Sequence, residues 1–241
     1  MPDPEGTAVR TVAAVLAAPA ADPAGALLFA PLAGRPVIEH SVAAFEASPQ
    51  VDEILVVTPP PLTARAGKLF AAAGYRKTGL VIEGGATWTE SAWQAILTLG
   101  EEDCNLLLHD AARPLIGPRV IGDCIAALET YQAACAAVLA SDTMVQVDED
   151  LITERPPRDR LRRRQTPQGF RLQVIRRGYE LARADPDFTA TDHCGIVLKY
   201  LPEVPVRLVP GSEPSVTVTG PADIEIAEAL VAAARTASPP A

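Results

Sequence analysis

The chain has 241 residues, 48% of them hydrophobic, and a formal net charge of −9. That length and apolar content exclude a disordered chain and fit one large α/β domain with a sizeable core. The acidic balance excludes general nucleic-acid binding, which needs a basic face, but not a small anionic substrate gripped by a local basic cluster. Such a cluster exists: Arg155, Arg158, Arg160, Arg162, Arg163 and Arg164 stand within ten residues. Cys104, Cys124, Cys135 and Cys194 form no CxxC pair, so they read as small buried residues of a reducing cytoplasm. No stretch is long enough to span a membrane. Asp3 and Glu5 against a lone Arg10 argue against a secretory leader.

In chain order, residues 1–8 read as loose. A strand is expected over 9–16, then a loop rich in Ala, Pro and Gly to residue 34. A helix follows over 36–47, with Pro36 in its first turn and Val37, Ile38, Val42 and Phe45 at helical spacing. A strand over 54–57 stops at Pro59-Pro60-Pro61, and a helix over 62–73 stops at Gly74. A strand over 80–82 runs into Gly84-Gly85, followed by a helix over 89–99. Leu106-Leu107-Leu108 reads as a strand buried on both faces of a parallel sheet. Helix 118–131 and strand 136–139 complete an alternation that marks a doubly wound sheet. Met144 to Asp148 and Leu151 to Glu154 then form a hairpin arm, which either joins two copies of the chain or folds as a flap. Helices over 172–184 and 192–201, a strand over 206–210 and a helix over 221–234 close the chain, with 236–241 frayed. The expected domain is a single one over 9–235, with the arm at about 142–165.

His109-Asp110-Ala111-Ala112-Arg113-Pro114 follows the central strand. Ligands of open α/β sheets bind beyond the carboxyl ends of the strands. An Asp there can hold a hard cation and an Arg can grip a phosphate with two parallel hydrogen bonds. A plain Asp–Arg pair closing a strand-end turn is the alternative.

Several motifs stand in one order: Gly84-Gly85 with Ser91, His109 to Pro114, Asp142-Thr143-Met144, Arg158, Thr166-Pro167-Gln168-Gly169-Phe170, Thr191-Asp192, and Val218-Thr219-Gly220-Pro221-Ala222-Asp223. Together they resemble the 2-C-methyl-D-erythritol 4-phosphate cytidylyltransferase family, with ribitol-5-phosphate cytidylyltransferases as close relatives. The resemblance runs from about residue 11 to 233. It implies a doubly wound, mostly parallel α/β sheet of the Rossmann-like nucleotidyltransferase fold and a homodimer joined through the arm. It also implies a Mg²⁺-dependent joining of CTP and methylerythritol phosphate, with release of pyrophosphate, in isoprenoid precursor synthesis. On that resemblance Asp110 holds Mg²⁺ and contacts substrate. Arg113, Thr143 and Asp192 serve the polyol phosphate side. Arg158 reaches across from the partner subunit to position the phosphate. Gly84, Gly85 and Ser91 line the cytidine pocket, with Ala17 and Ala18 beneath base and ribose.

The chain departs from that pattern where the triphosphate belongs. No Arg or Lys stands between Arg10 and Arg35. Pro19 replaces the first loop glycine and offers no N–H, and Asp22 adds a negative charge. Leu27 and Thr217 stand where the family carries lysines, and Trp88 where an arginine often follows the glycine pair. Arg160 and Arg162 to Arg164 are expected on the arm side. Losing one preorganised electrostatic group costs roughly 10²–10³ in rate. The expectation is therefore a family member with activity strongly reduced or lost. The alternatives are a fully active cytidylyltransferase with an altered phosphate grip, a purely binding or regulatory homologue, and an enzyme of related fold acting on another nucleotide or sugar phosphate.

Overall fold

The computed structural model describes residues 9–17, 25–189 and 192–237. In chain order the elements are β1 (Thr11–Leu16), β2 (Pro31–Leu32), β3 (Arg35–Pro36), α1 (Val37–Glu46), β4 (Glu53–Thr58), α2 (Pro60–Ala73), β5 (Thr78–Glu83), α3 (Trp88–Thr98), β6 (Asn105–Asp110) and α4 (Pro118–Thr130). They continue with β7 (Ala133–Leu139), β8 (Gln146–Asp148), β9 (Leu151–Glu154), β10 (Arg162–Arg171), α5 (Leu172–Ala184), α6 (His193–Tyr200), β11 (Val206–Pro210) and α7 (Pro221–Ala237).

Seven strands form one sheet in the order β11-β7-β10-β6-β1-β4-β5. All neighbours are parallel except β10, which runs antiparallel to both β6 and β7. The doubly wound, mostly parallel architecture is thus as the alternation of elements implies. Alternate side chains feed two cores. Val12, Ala14, Leu16, Leu106 and Leu108 face the layer of α3, α5 and α6. Ala13, Val15 and Leu107 face the layer of α1, α2 and α4. This is why the central strands carry unbroken apolar runs: both faces lose water, and each side chain gains burial on one of them.

The local signals behave as their chemistry dictates. Pro60 and Pro118 sit in first turns, where a missing N–H costs nothing, and Gly74 ends α2 in the left-handed region at φ 69°. Thr87 and Glu90 close a capping box on α3: the Glu90 N–H donates to Thr87 Oγ1 at 3.1 Å, and the Thr87 N–H donates to the Glu90 carboxylate at 3.2 Å.

Two segments differ from the sequence reading. The loop expected over 17–34 contains β2, which pairs across a turn of Ala33 and Gly34, both at positive φ, with β3 just before α1. More important, 162–171, whose start the sequence reading places on the arm and for which it gives no strand, is a ten-residue interior strand between β7 and β6. Three consecutive arginines and an internal proline hide it, because a central strand normally excludes proline. The ladder to β7 accommodates Pro167 by a register shift between Arg164 and Gln168. The hairpin β8–β9 stands as expected and is exposed on all its residues, with Leu151 at 73% and Ile152 at 70%. Among the described residues no helix is long and apolar enough to cross a membrane.

Candidate functional site

The carboxyl edge of the sheet is where the chemistry gathers, and the register shows why. Leu16 at the end of β1 pairs with Asp110 at the end of β6, and Thr58 at the end of β4 pairs with Glu83 of β5. Ala17 and Gly84 continue that edge, their N–H groups donating to Val57 O and Thr58 O, both at 2.8 Å. Since β10 is antiparallel, it delivers its own N-terminal half to the same edge. Gln168 pairs with Leu108, which sets Thr166 and Arg164 beside Asp110.

A cleft of about 170 Å³ opens there. Asp110, Arg113, Arg164 and Asp192 supply its charges, and Trp88, His109, Thr166 and His193 its remaining polar and aromatic wall. Arg164 Nε donates to Asp192 Oδ2 at 2.6 Å. Asp192 is also the N-cap of α6, accepting from the Gly195 N–H, and it takes a long contact of 3.4 Å from Gln168 Nε2. Gln168 Oε1 in turn accepts from the Cys194 N–H at 3.0 Å, so the strand holds the helix start and its carboxylate in place.

Asp110 is fixed by a chain of hydrogen bonds. Its N–H donates to Thr166 Oγ1 at 3.2 Å, and that hydroxyl lies 3.0 Å from His109 Nδ1. His109 Nε2 lies 3.2 Å from the Arg113 carbonyl, which can only accept. The imidazole therefore carries its proton on Nε2, and Thr166 donates to Nδ1. Burial holds this imidazole down to about 3, so it stays neutral. His193 is likewise held near 3 by burial, with Nδ1 2.8 Å from the Tyr179 hydroxyl and its ring edge-on to Trp88 at 4.6 Å. Burial also pushes the Asp110 carboxyl up, against the pull of the Ala112 N–H on Oδ1 at 2.9 Å and of Arg113 and Arg164 nearby.

The turn alternative for Asp110 and Arg113 is half right. The Asp110 carboxylate does close the turn through Ala112, but Arg113 makes no ion pair with it. Arg113 Nη1 donates instead to the Ser215 carbonyl at 2.7 Å, and burial lowers its pKa.

Of the residues singled out from the sequence, Asp110, Arg113 and Asp192 come together. Gly84, Gly85 and Ser91 lie at the start of α3 and pack on each other: a Cβ at Gly84 would stand 2.5 Å from Ser91 Oγ, and one at Gly85 would strike Glu90. Ala17 is fully buried, and Ala18 lies outside the described residues. Thr143 is exposed and does not line the cleft. Arg158 sits at the base of the arm, its Nε donating to the Ala140 carbonyl at 2.7 Å. The loop residues Pro19 and Asp22 also lie outside the described residues. One expectation is overturned: Arg164 is in the cleft, not on the arm side. Sequence reasoning missed it, along with the supporting role of Thr166, because nothing marked 162–171 as a strand; it missed His193 because only packing turns the start of α6 toward the cleft. The clue available was Gln168-Gly169-Phe170, a run that is buried throughout.

Fold and cleft together define an α/β protein of the nucleotidyltransferase fold, with paired carboxylates and paired guanidiniums at the carboxyl edge of its sheet. A 4-diphosphocytidyl-2C-methyl-D-erythritol synthase from Anaerococcus prevotii shares the fold, with a TM-score of 0.83 at 24% identity over 92% of this chain and 99% of that one. The 2-C-methyl-D-erythritol 4-phosphate cytidylyltransferase of Thermus thermophilus is similar with a TM-score of 0.70 at 27% identity, covering 93% of this chain and 98% of that one. The family model of 2-C-methyl-D-erythritol 4-phosphate cytidylyltransferase matches residues 20–233. The enzyme of that name from Thermobifida fusca is 49% identical over 207 residues, 83% of each chain. A bifunctional ribulose 5-phosphate reductase/CDP-ribitol pyrophosphorylase from Haemophilus influenzae is 35% identical over 84% of this chain and 43% of its own length. The chain belongs to the 2-C-methyl-D-erythritol 4-phosphate cytidylyltransferase family.

Proposed function

We propose that this protein transfers a cytidylyl group from CTP to 2-C-methyl-D-erythritol 4-phosphate, with a weakened hold on the triphosphate. The observation that carries the reading is the meeting of Asp110, Arg113, Arg164 and Asp192 in one cleft. In the reaction an oxygen of the polyol phosphate attacks the α-phosphorus of CTP. The bond from that phosphorus to the bridging oxygen breaks, and pyrophosphate leaves with the electron pair. Such transfers depend on positioning and on neutralising negative charge. Arg113 and Arg164 supply that charge from this chain, and Trp88 and His193 give the cleft an apolar, aromatic wall.

Asp110 is the residue that would hold Mg²⁺. Its Oδ1 is engaged by Ala112, and no cluster of three ligating side chains surrounds it among the described residues. That fits an ion held by one or two carboxylates with the substrate phosphates completing its shell. Bound there, Mg²⁺ would supply charge neutralisation at the reacting phosphate. The homodimer of our reading joins through the arm, whose exposed Leu151 and Ile152 favour cover by a second copy, and this would bring the partner's Arg158 to the cleft. The four cysteines carry no disulfide, in keeping with a cytoplasmic setting.

A second reading is a silent homologue that binds polyol phosphate without turning it over. What favours it is the stretch from Thr11 to Gly34, which has no Arg or Lys. Pyrophosphate release from CTP, methylerythritol phosphate and Mg²⁺ separates the two. We expect turnover at least roughly 10²–10³-fold below the Thermobifida fusca relative, since that is the effect of one missing electrostatic group and several are missing here. Turnover within tenfold of that relative would refute the weakened grip. No detectable turnover with retained binding of methylerythritol phosphate would establish the silent reading.

A further inference from the structure

Two thiols that the reaction does not use meet between β7 and the start of α6. Cys135 packs from β7 into the core layer in which Cys194 of α6 is buried. In the sheet Cys135 stands opposite Gln168, and the Gln168 side chain accepts from the Cys194 N–H at 3.0 Å. Cys194 Sγ lies 4.0 Å from the carbonyl of Ala134, the residue before Cys135. The two sulfurs share a hydrogen bond, which lowers the Cys135 thiol and raises the Cys194 thiol. All four cysteines are free.

The two thiols differ in access. Cys135 is partly exposed, whereas Cys194 is buried. Leu208, the partner of Cys135 on the edge strand β11, is 46% exposed, so solvent reaches this end of the layer. The other two cysteines are fully buried, and burial pushes Cys104 up to about 11 and Cys124 up to about 12. The reactive form of a thiol is the thiolate, and oxidation follows thiolate character and exposure. Cys135 is therefore the thiol placed to react first, and Cys194 the one placed to resolve it.

We propose that Cys135 and Cys194 are a redox pair that hydrogen peroxide closes to a disulfide, and that closure displaces the start of α6. In the first step the Cys135 sulfur attacks one peroxide oxygen. The O–O bond breaks, and the departing hydroxide takes the proton released by the Cys135 thiol, giving water and a Cys135 sulfenic acid. In the second step the Cys194 sulfur attacks the Cys135 sulfur. The S–O bond breaks, and the departing hydroxide takes the Cys194 proton as a second water. Both sulfurs are oxidised and the peroxide is reduced. Closure draws the sulfurs from non-bonded contact to about 2.05 Å. Cys194 is the second residue of α6, next to His193 in the cleft wall and two residues from Asp192, the partner of Arg164. The new bond therefore pulls on both. The inference goes beyond the catalytic reading and does not depend on it.

The test treats the reduced full-length protein with hydrogen peroxide at neutral pH, followed by alkylation in denaturant and peptide mapping. Free thiols should fall from four to two, with Cys135 linked to Cys194, and dithiothreitol should restore all four. Cys135 should be lost roughly tenfold or more faster than Cys104 or Cys124. In Cys194→Ala, Cys135 should stop at the sulfenic acid and be captured by dimedone. In Cys135→Ala the other three thiols should persist. Trp88 reports on α6, since its ring meets His193 edge-on. In a Trp93→Phe background Trp88 is the only tryptophan. Its emission should shift on oxidation and return on reduction, and Cys135→Ala should abolish the shift. Four retained thiols, a link through Cys104 or Cys124, or a link between two chains would overturn the pair. Emission unchanged while mapping finds the Cys135–Cys194 bond would overturn its hold on α6.

Discussion

Lowering the pH from 7 to 5 should cost this protein about 4 kcal/mol of stability through two histidines that fold in the neutral form. His109 and His193 are buried in the wall of the cleft, and burial holds both imidazoles down to about 3. In the unfolded chain each titrates near 6.5. Between about 6.5 and 3 the unfolded chain takes up protons that the folded chain refuses. Stability is therefore complete above 6.5 and falls as the pH drops through that window. The step from 7 to 5 crosses about one and a half units of it, and at about 1.4 kcal/mol per unit each histidine contributes about 2 kcal/mol. His40, also lowered by burial, acts in the same direction. Native domains are stable by only about 5–15 kcal/mol, so the change is large. Urea unfolding followed by circular dichroism at pH 7, 6 and 5 would measure it, for the unaltered protein and for His193→Gln. The packing lost in the variant is common to every pH and cancels in the difference. The variant should lose about 2 kcal/mol less than the unaltered protein between pH 7 and 5. Identical pH dependence in the two proteins would refute the reasoning, as would a total change below about 1 kcal/mol.

Three further outcomes follow from the geometry. Thr166→Val removes the acceptor for the Asp110 N–H and the donor to His109 at once, so it should destabilise by about 2–4 kcal/mol in thermal unfolding, and Thr166→Ser should recover most of that. Arg164→Gln should lower pyrophosphate-release turnover roughly 10²–10³-fold. The same change should alter stability by less than about 1 kcal/mol, because its ion pair is partly exposed. Gly85→Ala drives a Cβ into Glu90 and opens the α3 capping box, with an expected loss of about 1–2 kcal/mol in chemical denaturation.

Much of this protein is written locally. The unbroken apolar runs of β1, β4 and β6, the prolines at the starts of α2 and α4, and the glycine after α2 act through neighbours in the chain. Their positions follow from residue types alone. The same holds for Asp110 at the end of a strand, because the carboxyl edge of a parallel sheet is fixed once the strand direction is known. It holds also for the missing cations between Arg10 and Arg35, which need no structure to be counted.

What tertiary structure alone decided is the strand β10 and everything it delivers. Arg162-Arg163-Arg164 reads as the end of a basic cluster on the arm side, and Pro167 argues against a central strand on local grounds. The pairing is nonetheless fixed by Gln168, Gly169 and Phe170 against β6 and β7, contacts between segments more than thirty residues apart. An antiparallel strand in a parallel sheet brings its beginning to the edge where its neighbours end. That reversal carries Arg164 to Asp192 and Thr166 to Asp110, and it sets Arg163 beside Ser215. Charge spacing along the chain could not reveal this, because the distances that matter run across the sheet.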